Sequence, residues 1–318
     1  MAHTVNGLRR TTPSVKPMRQ SPILLLGCNG QVGWELQRSL QSIGGLIPCD
    51  FDCPEANRAD FLQPESLRDL VRRHRPKVIV NAAAHTAVDK AESEPDIARR
   101  INATAPGVLA QEAAALGACI VHYSTDYVFD GSGDKPRTED APVAPLSVYG
   151  RTKLEGEQAV RGSGCQHLIL RTSWVYAARG VNFAKTMLRL SAERDELKVI
   201  DDQIGAPTGA DLLADVTAHA IRLLLHRPDL VGTYHCVASG QTSWYGYARY
   251  VIDWARTHGL PVKVAPEFVR PVSTGEYPTP ARRPLNSRLD TSKLRHAFGL
   301  QLPPWQQGVE RMLMEIMK

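Results

Sequence analysis

Ile23-Leu24-Leu25-Leu26-Gly27-Cys28-Asn29-Gly30-Gln31-Val32-Gly33 is the stretch on which the fold turns. An apolar run of strand length leads into G-x-x-G-x-x-G. Residues 31–43 follow, with Val32, Leu36, Leu40 and Ile43 on one helical face. A tight strand-to-helix turn whose backbone must lie against a pyrophosphate has no room for side chains, so glycine is needed. The helix start beyond it offers free N–H groups and the positive end of a dipole to phosphates. Glycines alone are a weak signal; their place between the first strand and the first helix gives them weight.

Working outward, short apolar runs continue to alternate with longer amphipathic stretches. Strands are expected at 46–49, 77–80, 118–123 and 167–170. Helices are expected at 64–74, at 91–116 with a break near Pro106, and at 147–160. This alternation predicts an α/β fold, a Rossmann-type doubly wound parallel sheet covered on both faces. Its ligand crevice lies beyond the carboxyl ends of the strands. Past about Arg171 the pattern loosens. Proline-containing loops (Ala206-Pro207 and 277–280) separate helices at 211–225, 244–257 and 306–317. There is no internal repeat. The expected organisation is a flexible basic tail at 1–20, a dinucleotide-binding Rossmann domain at 21–171, and a mainly substrate-binding smaller lobe at 172–318, with some chain returning to the core.

Composition sets the outer bounds. Of 318 residues, 43% are hydrophobic and 22% charged, which suits a soluble globular enzyme. The net charge of +5 resides in the tail, where Arg9, Arg10, Lys16 and Arg19 occur without an acid. Without these four, 34 basic residues face 33 acidic ones, so the body has no excess that would mark a nucleic-acid face. The tail lacks the apolar core of a signal peptide, and a targeting role for it is left open. No run of about 20 apolar residues exists to span a membrane. The six cysteines show no zinc spacing, and a reducing, cytoplasmic compartment is the expectation.

Further clusters carry chemistry. Asp50 lies 20 residues after Gly30, behind 46–49, where an acid is expected to take the adenosine ribose; a solvated turn is its alternative. Asp60-Phe61 could flank the adenine. In Asn81-Ala82-Ala83-Ala84-His85, small residues at a strand end would let a cofactor lie against backbone, and His85 is as readily a packed histidine as a functional one. Tyr149 and Lys153 stand four apart on one helix face. A phenol with a pKa near 10 is a poor acid–base group at neutral pH, and a neighbouring ammonium is expected to lower it. The lysine can also hold the nicotinamide ribose. Thr125 and Asp126 end another strand: Thr125 could hydrogen-bond a substrate oxygen and Asp126 a sugar hydroxyl, or both could simply stabilise a turn.

The stretches 27–40, 80–95 (VNAAAHTAVDKAESEP), 122–129 (HYSTDYVF), 148–156 (VYGRTKLEG), 171–176 (RTSWVY), 182–190 (NFAKTMLRL), 202–210 (DQIGAPTGA) and 277–288 (YPTPARRPLNSR) resemble the dTDP-4-dehydrorhamnose reductase family, among the extended short-chain dehydrogenases/reductases. The resemblance runs from about Ile23 to Met317. It implies NAD(P)H-dependent reduction of the C4 keto group of dTDP-4-dehydro-L-rhamnose, the last step of dTDP-rhamnose synthesis. Tyr149 would be the catalytic acid, Lys153 its partner, and Thr125 the residue that tunes it. Gly27, Gly30, Gln31, Val32, Gly33, Asp50, Asp60, Phe61, Ala83, Ala84, His85, Thr86, Tyr149 and Lys153 would surround NADPH or NADH. Thr125, Asp126 and Trp174 would contact the dTDP-sugar. Trp174 has a core aromatic as its alternative. Arg282 and Arg283 could reach the diphosphate or stay solvated. The resemblance also implies a homodimer with Mg²⁺ held by Glu35, Asp211 and Glu315. Asp211 stands where a glutamate is expected, and solvated helix carboxylates are the alternative.

Two other functions share this pattern. A nucleotide-sugar dehydratase or epimerase uses the same fold, but a dehydratase needs an acidic pair where this chain has Asp126-Tyr127. A non-catalytic nucleotide-binding regulatory subunit would not need the Thr125, Tyr149 and Lys153 set. Asp50 should repel a 2′-phosphate, yet Arg58 is close enough in sequence to offset it, so NADH and NADPH both remain open.

Overall fold

The computed structural model describes residues 22–317; the basic tail expected at 1–20 lies outside them. The apolar runs form β1 (Ile23–Leu26), β2 (Leu46–Cys49), β3 (Val78–Asn81), β4 (Cys119–Thr125) and β5 (Gln166–Thr172). The helices between them are α1 (Gln31–Leu40), α2 (Pro64–His74), α3 (Val88–Ser93), α4 (Pro95–Arg99), α5 (Ala105–Leu116) and α6 (Val148–Gly162). All pair in parallel, in the order β2-β1-β3-β4-β5, and the strand Gly232–His235 adds itself beside β5. The order reverses between β1 and β3. A crevice therefore opens beyond their carboxyl ends, where neighbouring crossovers depart to opposite faces.

The central strands β1, β3 and β4 bury both sides, with a period of two. After α7 (Phe183–Glu193) comes α8 (Ala210–Leu224), and Leu25, Val80, Val121 and Leu170 face one core, where α1 packs against α8. Leu24, Ile79, Ile120 and Ile169 face the other core, with Leu67 of α2 and Leu109 of α5. A third core lies among α7, α9 (Trp244–Thr257) and, beyond α10 (Ser292–Phe298), α11 (Trp305–Ile316). No described helix is long and apolar enough to cross a membrane.

Two local differences from expectation have clear causes. The long helix expected over 91–116 is interrupted at Glu94, because Pro95 has no N–H to continue α3 and instead opens α4. A π-helical turn at Arg100–Thr104 then runs without a break into α5, with Pro106 in its first turn, so the second proline is accommodated by a local widening of the helix and not by a break. The strand Gly232–His235 escaped the sequence reading, since four residues following a short loop carry little pattern.

The glycine turn has the demands its sequence suggests. Gly27 takes φ +77°, and a side chain there would come within 2.6 Å of the Ala83 nitrogen, so β1 and β3 end against each other. A Cβ at Gly33 would overlap the Gly27 carbonyl and lie 2.9 Å from Cys28 Cα. Helix α1 can start this close to β1 only with hydrogen at that position. Gly33→Ala should therefore lower stability by about 1–3 kcal/mol, as overpacking does, read as a drop in melting temperature. An unchanged melting temperature would mean that α1 starts further from the strand.

Candidate active site

One cavity of about 560 Å³ opens at the switch point, and most of the residues singled out above line it. Gly27, Gly30, Gln31 and Val32 come from the turn, Asp50 from the end of β2, and Ala83, Ala84 and Thr86 from the segment after β3. Thr125 and Asp126 come from the end of β4, Tyr149 and Lys153 from α6, and Trp174 from just after β5. No side chain caps α1 at Gly30, so its first N–H groups are left to a ligand. Asp50 accepts from the Asn29 N–H at 2.9 Å and the Phe51 N–H at 2.8 Å, which aims its carboxylate at the turn. Arg58 bridges to Asp50 through the backbone and lays its guanidinium 4.8 Å over the Phe51 ring.

Four expected residues sit elsewhere. Gly33 lies beneath the turn. Phe61 is buried in the sheet core. Asp60 accepts from the Leu62 N–H and lines a separate depression with Arg58 and Arg73. His85 is held by its backbone, its N–H donating to Asn102 Oδ1 at 2.8 Å and its carbonyl accepting from Asn102 Nδ2 at 3.1 Å. That places the segment, not the ring, beside the cavity.

Helix α6 positions Tyr149 and Lys153. Ser147 caps it by accepting from the Gly150 N–H at 3.2 Å. Gly150 lets the helix touch the Tyr127 carbonyl, where any side chain would collide. The Tyr127 ring meets the Tyr149 ring edge-on at 5.4 Å. Lys153 is buried, and its ammonium donates to the Tyr123 carbonyl at 2.6 Å. One turn on, Glu157 is fully buried. Its carboxylate accepts from Ser124 Oγ, from Arg171 Nε at 2.8 Å and Nη2 at 2.7 Å, and from Arg161 Nη1 at 3.0 Å. These bonds hold the Glu157 carboxyl below its ordinary range despite burial.

The expected lowering of the tyrosine pKa is not what the site shows. Burial pushes the Tyr149 hydroxyl up to about 12, and a hydrogen bond with Thr125 only partly opposes it. The reason lies in Lys153, whose ammonium is committed to a backbone carbonyl and is itself pushed down to about 8 by burial. Tyr149 therefore enters as a protonated phenol, suited to giving a proton. Asp126 is buried too, and its carboxyl is raised to about 6 by desolvation.

Trp174 adopts φ +50°, a left-handed conformation that a large side chain rarely takes. Its indole stacks on Trp244 with centroids 3.7 Å apart, so one face is covered, and Gly205 lies against its six-membered ring so closely that a side chain there would collide. Trp244 also lines the cavity and was not singled out from sequence; an aromatic opening a helix after a serine cap gives no sign that it reaches back 70 residues.

The diphosphate expectation for Arg283 gives way to an internal ion pair. Its guanidinium holds Asp89 in two bonds, at 3.0 and 2.7 Å, because the loop carrying it packs on α3. Arg282 is exposed. The three acids expected to hold a metal, Glu35, Asp211 and Glu315, line one small cavity, although among the described residues no group of three acidic, histidine or cysteine side chains is arranged to hold an ion. The short Asp211 side chain turns to Arg311 at 3.1 Å, and Glu35 pairs with Arg38 at 3.5 Å.

The family model of the RmlD substrate binding domain matches residues 20–318. The dTDP-4-dehydrorhamnose reductase of Escherichia coli K12 is 58% identical over 294 residues, covering 92% of this chain and 97% of that protein. A crystal structure of a dTDP-4-dehydrorhamnose reductase from Clostridium acetobutylicum superposes with a TM-score of 0.83 at 38% identity, covering 93% of this chain and all of that one. One from Bacillus anthracis, in complex with NADP, gives 0.82 at 36% identity over 93% of this chain and 99% of its own. The chain belongs to the dTDP-4-dehydrorhamnose reductase family.

Proposed function

We propose that the chain reduces the C4 carbonyl of dTDP-4-dehydro-L-rhamnose to give dTDP-L-rhamnose. The observation that carries this is the meeting of Thr125, Tyr149 and Lys153 in the same cavity as the glycine turn and Asp50. The cavity suits a nicotinamide dinucleotide: the glycine turn, packed too tightly against its own backbone to carry side chains at Gly27 or Gly33, opens onto it, and α1 leaves its N–H groups uncapped. NADPH or NADH, when bound, supplies the hydride that reduces C4.

The protein's own groups do the rest. Tyr149 gives its phenolic proton to the oxygen on which charge develops, and Thr125 steadies that oxygen with its hydroxyl. Lys153 holds the nicotinamide ribose from the floor of the cavity and offsets the tyrosinate's charge. Asp126 and Trp174 bound the sugar. In this reading residues 21–171 are the dinucleotide-binding domain. Residues 172–318 form the sugar-nucleotide lobe, sending α8 and the strand Gly232–His235 back to the core. A dehydratase is disfavoured because the position after Asp126 is Tyr127, whose ring is packed against Tyr149.

Three measurements test the reading. Tyr149→Phe should lower kcat by about 10²- to 10⁴-fold, the usual share of a proton-transfer group, while cofactor still binds; wild-type turnover would remove Tyr149 from the role. Asp50→Ala should weaken NADH more than NADPH, since a ribose contact is lost and repulsion of a 2′-phosphate relieved. An unchanged kcat/KM ratio for the two cofactors would place Asp50 away from the ribose. A homodimer belongs to the same reading, supported by exposed Trp34 and Met314, sequence neighbours of Glu35 and Glu315. Because Asp211 is paired with Arg311, sizing chromatography should give twice the chain mass with and without EDTA. A single-chain mass in both would overturn the dimer, and a dimer lost only with EDTA would restore the metal.

A further inference from the structure

Two thiols face each other beside the glycine turn, and the proposed reaction uses neither. The sulfurs of Cys28 and Cys53 lie 3.9 Å apart. Cys28 follows Gly27 in the turn and is buried; Cys53 stands three residues past Asp50. Of the six free cysteines, Cys53 alone is not buried, and it opens on the depression of about 480 Å³ that also holds Arg58 and Arg73. The pair straddles a joint. Asn29, next to Cys28, gives its N–H to Asp50 Oδ2 at 2.9 Å and its side-chain amide to Asp52 Oδ1 at 2.6 Å, next to Cys53. These bonds tie the glycine turn to the end of β2, and Gly27, Gly30 and Asp50 around them line the large cavity.

We propose that Cys28 and Cys53 form a modification site, a thiol pair that hydrogen peroxide closes to a disulfide, and that closure weakens the hold on the cofactor. The second half of the inference rests on the reading of the cavity as a nicotinamide dinucleotide site. Cys53, the sulfur with access to solvent, attacks one peroxide oxygen. The O–O bond breaks, and the other oxygen leaves with the thiol proton as water. Cys53 is then a sulfenic acid. The Cys28 sulfur attacks the Cys53 sulfur, the S–O bond breaks, and the departing hydroxide takes the Cys28 proton as a second water. Peroxide gains two electrons, and two thiols become one disulfide. A dithiol reductant reverses the step by exchange.

The surroundings assign the two roles and the direction of movement. Burial, with Cys53 as neighbour, raises the Cys28 thiol well above its ordinary range, so Cys28 resolves and does not initiate. A disulfide needs its sulfurs at about 2 Å, so the pair must draw together. Cys28 cannot readily yield. Its N–H donates to the Cys49 carbonyl at 3.2 Å, as the Gly27 N–H does at 3.0 Å, and its own carbonyl accepts from Gln37 Nε2 at 2.9 Å. Cys53 ends a turn closed by one longer bond, its N–H to the Asp50 carbonyl at 3.3 Å, and Phe51 and Asp52 on that turn are exposed. The movement therefore falls on residues 51–53. It pulls Asp52 away from Asn29 and disturbs Asp50, while Tyr149 and Lys153 on α6 are left alone. Coupling between sites is reciprocal, so bound cofactor should oppose closure by the factor that closure costs the cofactor.

The test treats the full chain, freed of reductant, with excess hydrogen peroxide, removes the peroxide, and alkylates the remaining thiols under denaturing conditions. Mass spectrometry should find a Cys28–Cys53 cross-linked peptide and four of the six cysteines alkylated. Affinity for NADPH and NADH, read by fluorescence titration, should fall roughly tenfold and return with dithiothreitol, and saturating NADP⁺ should slow the cross-link. Cys53→Ser treated alike should keep its affinity, which separates the pair from oxidation of methionines elsewhere. Both thiols still alkylated after peroxide, or Cys53 driven to sulfinic acid with Cys28 still free, would overturn the pair. A cross-link that leaves affinity unchanged would overturn its tie to the cofactor. Failure of the untreated chain to bind either cofactor would instead remove the reading of the cavity; the cross-link is scored without any cofactor, so the two failures are distinguishable.

Discussion

The carboxylate of Glu157 is the point on which the site is hung. It is buried without solvent, yet it accepts four hydrogen bonds from three side chains on β4, β5 and α6 itself. Such a group is tolerable in a protein interior only because each lone pair is answered; removing one partner of a buried pair costs far more than the pair contributes. The effect is geometric. Ser124 precedes Thr125 on β4, and Arg171 lies opposite Ser124 in the β4–β5 register. One carboxylate therefore fixes the face of α6 that carries Lys153 and Tyr149 against the strand end that carries Thr125 and Asp126.

With the scaffold held there, burial acts on every titratable group in the same sense. The phenol of Tyr149 is pushed up, the carboxyl of Asp126 is pushed up, and the ammonium of Lys153 is pushed down, all toward neutral forms. A pocket so prepared presents donors and little fixed negative charge beside a developing oxyanion. On the proposed function, phosphate recognition would be kept apart, at the glycine turn and the start of α1, so that the two demands of an anionic cofactor and a transient anion would be met by different parts of one cavity.

Much of this was legible in the chain. The limits of α2 and α9 emerged as expected because Pro64 and Ser243 mark their starts, and the parallel sheet followed from continuous apolar runs such as Val78-Ile79-Val80. The acid–base pair was readable because its spacing is local, one helix turn. What escaped was set by distant partners. Nothing near Arg283 announces that Asp89 will claim it, nor does anything near Asp211 announce Arg311. The sense of the Tyr149 shift was missed for a related reason: periodicity places Lys153 on the right face but cannot show that its ammonium is turned to the Tyr123 carbonyl. Trp244 depends on a loop closing over the sheet edge, for which 3.6- and 2-residue patterns carry no information.

Tyr149, Lys153 and Glu157 follow one another at steps of four along α6, so the proposed proton donor, the proposed cofactor contact and the anchor share a single helical phase. Each residue advances an α-helix by about 100°. Adding or removing one residue between Glu157 and Tyr149 would leave the anchor in place and swing the phenol off the cavity. A substitution in that interval is a local event, whereas a change of length is a rotation of everything upstream. The segment should therefore accept many exchanges of side chain over evolutionary time while its length stays constant, a spacing preserved by angle and not by the identity of the residues within it.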